Sequence, residues 1–182
     1  ALAWVVYDAL CRILRNRQLL LAATLLVLVA AAAYGVSNLV SARAVPIQLG
    51  AMLGTIMAGN VLFVIIPGQR ELVQAKRARR EPDPEHGIRG KQRSVHNNYL
   101  TLPVVLAMIV PHFPFVYARE RGWLVLLALM AIGAWIRLFF NLRHQGRTVW
   151  TIPVIAGVAL VALAIAIRPE DSSSEPGGPP VE

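Results

Sequence analysis

The chain has 182 residues, of which 56% are hydrophobic, and its mean hydropathy is +0.55. These values exceed those of an ordinary soluble domain and exclude that class, because the apolar residues also occur in long blocks. The formal net charge is +8. The basic residues gather between the apolar blocks, so we attribute the charge to membrane topology and predict no nucleic-acid partner. The single cysteine, Cys11, excludes an internal disulfide and a thiolate metal cluster, and we predict no metal site.

The apolar segments, taken in chain order, predict membrane spans. The first eleven residues are apolar but too short to cross a bilayer, and we interpret them as the end of a helix that begins before the chain. Four charge-free segments are each long enough to span: Gln18 to Ala42, Ala44 to Gln69, Ser94 to Ala118 and Thr148 to Ile167. A fifth, Gly122 to Trp135, is interrupted by Arg137 and continues to Leu142. The pattern predicts an all-α, polytopic transmembrane bundle over residues 1–168, with five complete spans and a truncated first one.

Residues that break helices suggest where these spans end. Pro67 and Gly68 are expected to end the second full span, and Glu81 to Gly87 is expected to be an irregular connector. Ser94 is then a candidate cap for the next helix. Residues 169–182 are acidic and rich in Ser, Pro and Gly, so we predict a flexible linker there.

The basic residues predict the orientation of the bundle. With the spans laid out alternately, thirteen Lys and Arg side chains fall on one side, in segments 12–17, 70–93 and 143–147. The other side receives Arg43, Arg119, Arg121 and Arg168. By the positive-inside rule the basic loops face the cytoplasm and the C-terminal tail lies outside.

Polar side chains at the ends of apolar runs are the candidate functional residues. His96 is accompanied by Arg93, Asn97 and Asn98 at the entrance to the third full span. A second group occupies one face of the fourth full helix and its end: Arg137, Asn141, Arg143 and His144. An arginine below the membrane surface is a functional candidate, although Arg137 also fits a side chain that reaches back to the cytoplasmic interface.

Two further features concern helix contacts and a possible ligand. Gly50, Gly54 and Ala58 form a small-residue stripe that predicts close helix packing, and Asn60 is expected to bond a neighbouring helix. His112 lies between two prolines near the outer end of the third full span. The broken helix there is expected to turn its imidazole toward the interior of the bundle.

Three motifs resemble a known family. They are residues 65–70 (Ile-Ile-Pro-Gly-Gln-Arg), residues 90–103 (Gly-Lys-Gln-Arg-Ser-Val-His-Asn-Asn-Tyr-Leu-Thr-Leu-Pro) and residues 139–147 (Phe-Phe-Asn-Leu-Arg-His-Gln-Gly-Arg). Between about Trp4 and Arg168 the chain resembles the membrane domain of the bacterial cytochrome c-linked urate oxidase, also called urate hydroxylase. Family members carry further helices before this region and a cytochrome c domain after it. No Cys-x-x-Cys-His motif occurs here, and the tail after Pro169 corresponds to the start of the linker to that domain.

The resemblance implies oxidation of urate to 5-hydroxyisourate in the bacterial inner membrane, with water supplying the oxygen and a haem c domain or soluble cytochrome c taking the electrons. Urate is a planar anion with carbonyl acceptors and N–H donors. Arginine and asparagine side chains match such a rim, and a histidine that titrates near neutrality suits proton removal. We therefore expect His96 to act as the base and Arg93 or Arg143 to clamp the anion. The further predicted substrate contacts are Asn97, Asn98, Arg137, Asn141 and His144.

This arrangement places the substrate and the electron acceptor on opposite faces of the membrane. Electrons would then cross about 30 Å of hydrocarbon, which is too far for one transfer step. A b-type haem within the bundle is the expected relay, with His112 as its outer ligand. The alternative functions are a non-catalytic haem-bearing electron conduit, a transporter, or a membrane anchor for a soluble oxidase.

Overall fold

The computed structural model describes residues 2–168, and every regular element in that part of the chain is a helix. The predicted linker at 169–182 lies outside the described residues. Eight α-helices follow in order, with a π-helical turn between α3 and α4 and a 3₁₀ turn between α5 and α6. Their bounds are α1 Leu2–Ile13, α2 Gln18–Ser37, α3 Ala44–Asn60, the π turn Val61–Ile65, α4 Ile66–Arg77, α5 Pro84–Ile109, the 3₁₀ turn Val110–His112, α6 Pro114–Tyr117, α7 Gly122–His144 and α8 Thr151–Ala166.

Three continuous helical segments are long and apolar enough to cross a membrane: Gln18–Ser37, Ala44–Arg77 and Gly122–His144. The prediction of five complete spans is therefore not supported. Helix α8 is apolar but has 16 residues, which is about 24 Å and less than the hydrocarbon thickness. Helix α5 has 26 residues, but its first half is polar and its C-terminal end is followed by the turn at Val110–His112.

The second predicted span does not end at Pro67 and Gly68. Helical structure runs on from Ala44 to Arg77, a stretch of 34 residues. The π turn at Val61–Ile65 ends two residues before Pro67. Proline lacks the N–H of a regular helix and clashes with the preceding turn, and a wider π turn lets the chain continue past it.

The prediction for the start of the third full span is also wrong. Helix α5 begins at Pro84, and the Asp83 side chain caps it by accepting a hydrogen bond from Glu85 N at 2.9 Å. Ser94 lies inside the helix instead of at its start. Proline is common at the first position of a helix. A helix therefore starts at Pro84, where the sequence suggested a connector, and the part of α5 before the apolar run packs against α4.

The core lies where α3 and α5 pack against each other and where α7 packs against α5. Gly50 permits the first contact, since an added Cβ would lie 3.3 Å from Ala107 Cβ. Only part of the predicted small-residue stripe lies in a helix contact, because a Cβ added at Gly54 would have no neighbour within 4 Å and Ala58 is exposed. Gly59 instead lies against the indole ring of Trp4, and its lack of a side chain allows α1 to pack against α3.

Candidate functional site

A buried ion pair joins α1 to α5. Arg93 is 2% exposed, and its Nη2 donates to Asp8 Oδ1 at 2.6 Å. The other carboxylate oxygen of Asp8 accepts from Arg12 Nε at 2.7 Å, although the Arg12 side chain is largely exposed. A buried arginine is tolerated when an acid compensates its charge. Two arginines share one carboxylate here, so the cluster carries an excess positive charge that favours an anion nearby.

A chain of hydrogen bonds lies beside this ion pair and connects three helices. Tyr7 Oη of α1 is 2.7 Å from His96 Nδ1 of α5. Asn60, at the end of α3, donates from Nδ2 to Tyr7 Oη at 3.2 Å and to Asn97 Oδ1 at 2.8 Å. Asn97 Nδ2 donates in turn to the backbone oxygen of Met57 at 3.0 Å. The three helices thus hold the imidazole of His96 in one orientation.

Several polar atoms of this cluster have no partner. They are Arg93 Nε and Nη1, Asn60 Oδ1 and the indole Nε1 of Trp4. The guanidinium of Arg93 also lies 4.9 Å from the centre of the Tyr7 ring. Buried polar groups are almost always bonded, so unpartnered donors and an acceptor in one place favour a functional role over simple packing.

A cavity of about 340 Å³ begins at this network and continues between α2, α5 and α7. Its polar lining comes from Tyr7, Gln18, His96 and Tyr99, and the remaining lining is apolar. Cavities of this size, with mainly apolar walls and a few polar groups, are typical of small-molecule sites. Arg93 does not line the cavity. It lies behind the Tyr7 ring, which differs from the predicted direct clamp on the substrate.

The C-terminal half of α7 contacts the same region through Arg137. Arg137 Nε donates to Asn98 Oδ1 at 2.6 Å and to the Asn98 backbone oxygen at 3.2 Å. Both residues are half-buried. Arg137 therefore faces a polar group of α5 and connects α7 to the helix that carries His96.

A family model described as urate oxidase N-terminal matches residues 1–168. The chain belongs to this family. The match includes every residue of the network and of the cavity. Membership indicates an oxidoreductase related to urate oxidation. No curated protein and no solved structure matches the chain.

In this member of the urate oxidase N-terminal family, the structure gathers part of the predicted site. His96, Asn97 and Asn98 lie together on α5, with Arg93 one turn earlier. Arg143 and His144 are exposed at the end of α7, where His144 Nδ1 contacts the Phe140 backbone oxygen at 2.6 Å. Within the described residues, the hydrogen bonds of the buried network do not extend to Asn141, Arg143 or His144.

The b-type haem relay stays a prediction, and its expected outer ligand does not lie where the sequence suggested. His112 was expected to turn inward, but it is exposed at the 3₁₀ turn because its prolines end α5 and start α6 there. His144 is exposed at the opposite end of the bundle, and His96 Nδ1 is taken by Tyr7. Among the described side chains, no group of three His, Cys, Asp or Glu is placed to hold a metal ion.

Tyr7 and Asp8 were not among the site residues predicted from the sequence, and Asn60 makes more contacts than predicted. The signal was present for Asp8, which is a carboxylate inside an apolar segment and needs a buried partner there. Its partner, Arg93, is 85 residues away, so the pairing requires the fold. Asn60 was predicted to bond a neighbouring helix, and it bonds side chains of two, α1 and α5.

A second cavity of about 510 Å³ lies at the other end of the bundle. Its lining includes Tyr34 and Asn38 at the end of α2 and Arg121 and Trp123 at the start of α7. Tyr34 and Trp123 meet edge to face with ring centres 5.6 Å apart. Aromatic side chains at this level are typical of the membrane interface.

Proposed function

We propose that this chain is the membrane-embedded, urate-oxidising part of a cytochrome c-linked urate oxidase. The observation that carries the proposal is the hydrogen-bond network that ends with His96 at the 340 Å³ cavity. Together with the family match over residues 1–168, it gives a planar anion a polar contact and a positive field. The proposed contacts at the cavity are His96, Tyr7, Gln18 and Tyr99.

The proposed reaction adds the oxygen of water to C5 of urate. Urate and one water give 5-hydroxyisourate, two protons and two electrons, and the electrons reduce two ferric cytochrome c molecules to the ferrous state. The side chains of this chain bind and orient the purine. Arg93 and Arg12, sharing the single carboxylate of Asp8, make the potential near Tyr7 positive, which favours binding of the anion.

In the proposed topology, the network faces the cytoplasmic half of a bacterial inner membrane. The thirteen basic residues lie at the same end of the helices as His96, and the positive-inside rule assigns that end to the cytoplasm. A purine produced by metabolism reaches the cavity from this side. The cytochrome c partner then takes electrons at the outer face.

The test measures urate-dependent reduction of ferricytochrome c by the full-length protein in membranes, together with loss of urate. We expect two cytochromes reduced per urate and loss of turnover in His96→Ala. Arg121→Ala, in the other cavity, is the matched control and should retain normal turnover. Normal turnover in His96→Ala would remove His96 from the site, and loss only in Arg121→Ala would move the site to the outer cavity.

The alternative functions give different results with the same preparation. A transporter binds urate and changes no redox state, whereas an electron conduit or a membrane anchor binds no purine. Saturable urate binding with no oxidation by any added acceptor would therefore favour transport over the proposed reaction.

A further inference from the structure

The hydrogen bonds around Tyr7 run in one direction, which the backbone carbonyl of Met57 sets. A carbonyl oxygen only accepts, so the Asn97 group 3.0 Å from it is the Nδ2 amide donor. The other end of the Asn97 amide is then its oxygen, which accepts from Asn60 Nδ2 at 2.8 Å. One carbonyl thus fixes the orientation of both asparagines.

The same direction continues through Tyr7 to His96. The second N–H of Asn60 Nδ2 donates to Tyr7 Oη, so the phenol oxygen is an acceptor on that side. The one phenol proton is left for His96 Nδ1, 2.7 Å away. Tyr7 is 3% exposed, and a phenol proton pointing elsewhere would lose its hydrogen bond inside the protein. His96 Nδ1 is therefore an acceptor, and a neutral imidazole then carries its proton on Nε2.

We propose that His96 acts on the purine as a neutral Nε2–H hydrogen-bond donor to a carbonyl oxygen, and that Tyr7, Asn60 and Asn97 are positioning residues that hold this tautomer. The inference rests on the proposed function for the identity of the ligand. It replaces the predicted role of His96 as a base, because a nitrogen that already carries a proton does not take another. In this role no proton is transferred, and the hydrogen bond stabilises negative charge on the purine oxygen.

The tautomer is tested first, without any substrate. The full-length protein is labelled with ¹⁵N-histidine, placed in lipid nanodiscs and examined by NMR, and His96→Gln assigns the His96 signals by their loss. We expect a protonated Nε2 and an unprotonated Nδ1 in the wild type. A protonated Nδ1 in the neutral wild-type imidazole would overturn the proposal, whatever the variants do.

Two variants test the positioning role in the same spectra. Tyr7→Phe removes the proton donated to Nδ1 and should let the Nδ1–H tautomer appear. Tyr99→Phe is the matched control, because Tyr99 lines the same cavity on α5 but forms no hydrogen bond with His96 in the structure. A Tyr7→Phe spectrum identical to that of the wild type would contradict the positioning role of Tyr7.

The donor role is then tested by equilibrium binding of radiolabelled urate to the same nanodiscs. A glutamine side chain places an N–H near the position of Nε2, whereas an asparagine reaches only to Nδ1. We expect His96→Gln to bind urate within about threefold of wild type and His96→Asn to bind about tenfold or more weakly, which corresponds to one hydrogen bond. Equal weakening in both variants would overturn the donor role.

The two proposals fail in distinguishable ways. If wild-type nanodiscs bind no urate while Nε2 is protonated, the proposed function fails and the tautomer assignment is supported. If urate binds while Nδ1 is protonated, the proposed function is supported and the inference is overturned.

Discussion

At the scale of single residues, the two ion pairs of Asp8 are expected to contribute differently to stability, because one is buried and the other is exposed. The carboxylate pairs with Arg93, which is 2% exposed, and with Arg12, whose side chain is 64% exposed. Water solvates Arg12 whether or not it is paired, whereas Arg93 depends on Asp8 for compensation of its charge. The buried pair, unlike the exposed one, is expected to be essential to the stability of the bundle.

We expect Asp8→Ala to lower the free energy of unfolding by about 3–5 kcal/mol, because it leaves the Arg93 charge buried without a partner. Arg12→Ala, the matched control, should lower it by no more than about 1 kcal/mol. Denaturant titration of the purified chain in mixed micelles, followed by circular dichroism, measures both. Equal losses in the two variants would show that Arg93 is hydrated.

The contact between Arg137 and Asn98 gives a second prediction at this scale. Arg137→Leu removes two hydrogen bonds from a charged donor and should lower the free energy of unfolding by about 1.5–3 kcal/mol. Arg143→Leu, at an exposed position near the end of the same helix, should change it by less than about 0.5 kcal/mol. The same titration compares them, and an unchanged stability in Arg137→Leu would indicate an arginine that extends to the interface.

At the scale of helices, the bundle depends on close approaches that small residues permit. Helix α1 is short, and its contact with α3 includes the indole of Trp4 against the backbone of Gly59. This contact brings Tyr7 and Asp8 to the network. The position of α1 therefore decides whether the site is assembled.

Gly59→Ala places a methyl group against the rigid Trp4 ring, and we expect a loss of about 1–3 kcal/mol in unfolding free energy from overpacking. Gly54→Ala is the control on the same helix, since nothing lies within 4 Å of its added Cβ. The control should be neutral or stabilising by up to about 1 kcal/mol, because alanine favours helix more than glycine does. A destabilised Gly54→Ala would contradict this difference in packing.

At the scale of the whole molecule, the helices differ in length relative to the thickness of a bilayer. The 34 residues of Ala44–Arg77 measure about 51 Å, so this helix exceeds the hydrocarbon core by about 20 Å. Its last part, α4, packs against the polar half of α5. A salt bridge between Arg15 and Glu85, with an N to O distance of 2.6 Å, also connects the turn between α1 and α2 to the start of α5.

Labelling of single cysteines tests the proposed topology. Pro82→Cys, in the loop between α4 and α5, should react with a membrane-impermeant maleimide only when the cytoplasmic face is accessible. Ser41→Cys, between α2 and α3, should react in intact spheroplasts. The native Cys11 is 2% exposed and should give little background, which the wild-type chain measures. The reverse labelling pattern would place the His96 cavity at the outer face.

The amino-acid sequence was sufficient to predict the helical fold class, the long apolar helices that begin at Gln18 and Gly122, and the polar region of α5 around His96. These features are local, because the length of an apolar run and the spacing of polar residues along one helix are properties of neighbouring residues. Three motifs also indicated a relationship to urate oxidase, which the family match over residues 1–168 confirms, whereas the cytochrome c-linked type stays a prediction.

Which polar groups meet depends on how the helices pack together. Arg93 pairs with Asp8 across 85 positions, and His96 bonds with Tyr7 across 89, so no local pattern encodes either contact. The π turn near Pro67 and the exposure of His112 have a local cause instead, because prolines interrupt the helix at both places. The orientation of the His96 imidazole follows from groups on three helices, and such an arrangement exists only once those helices are in contact.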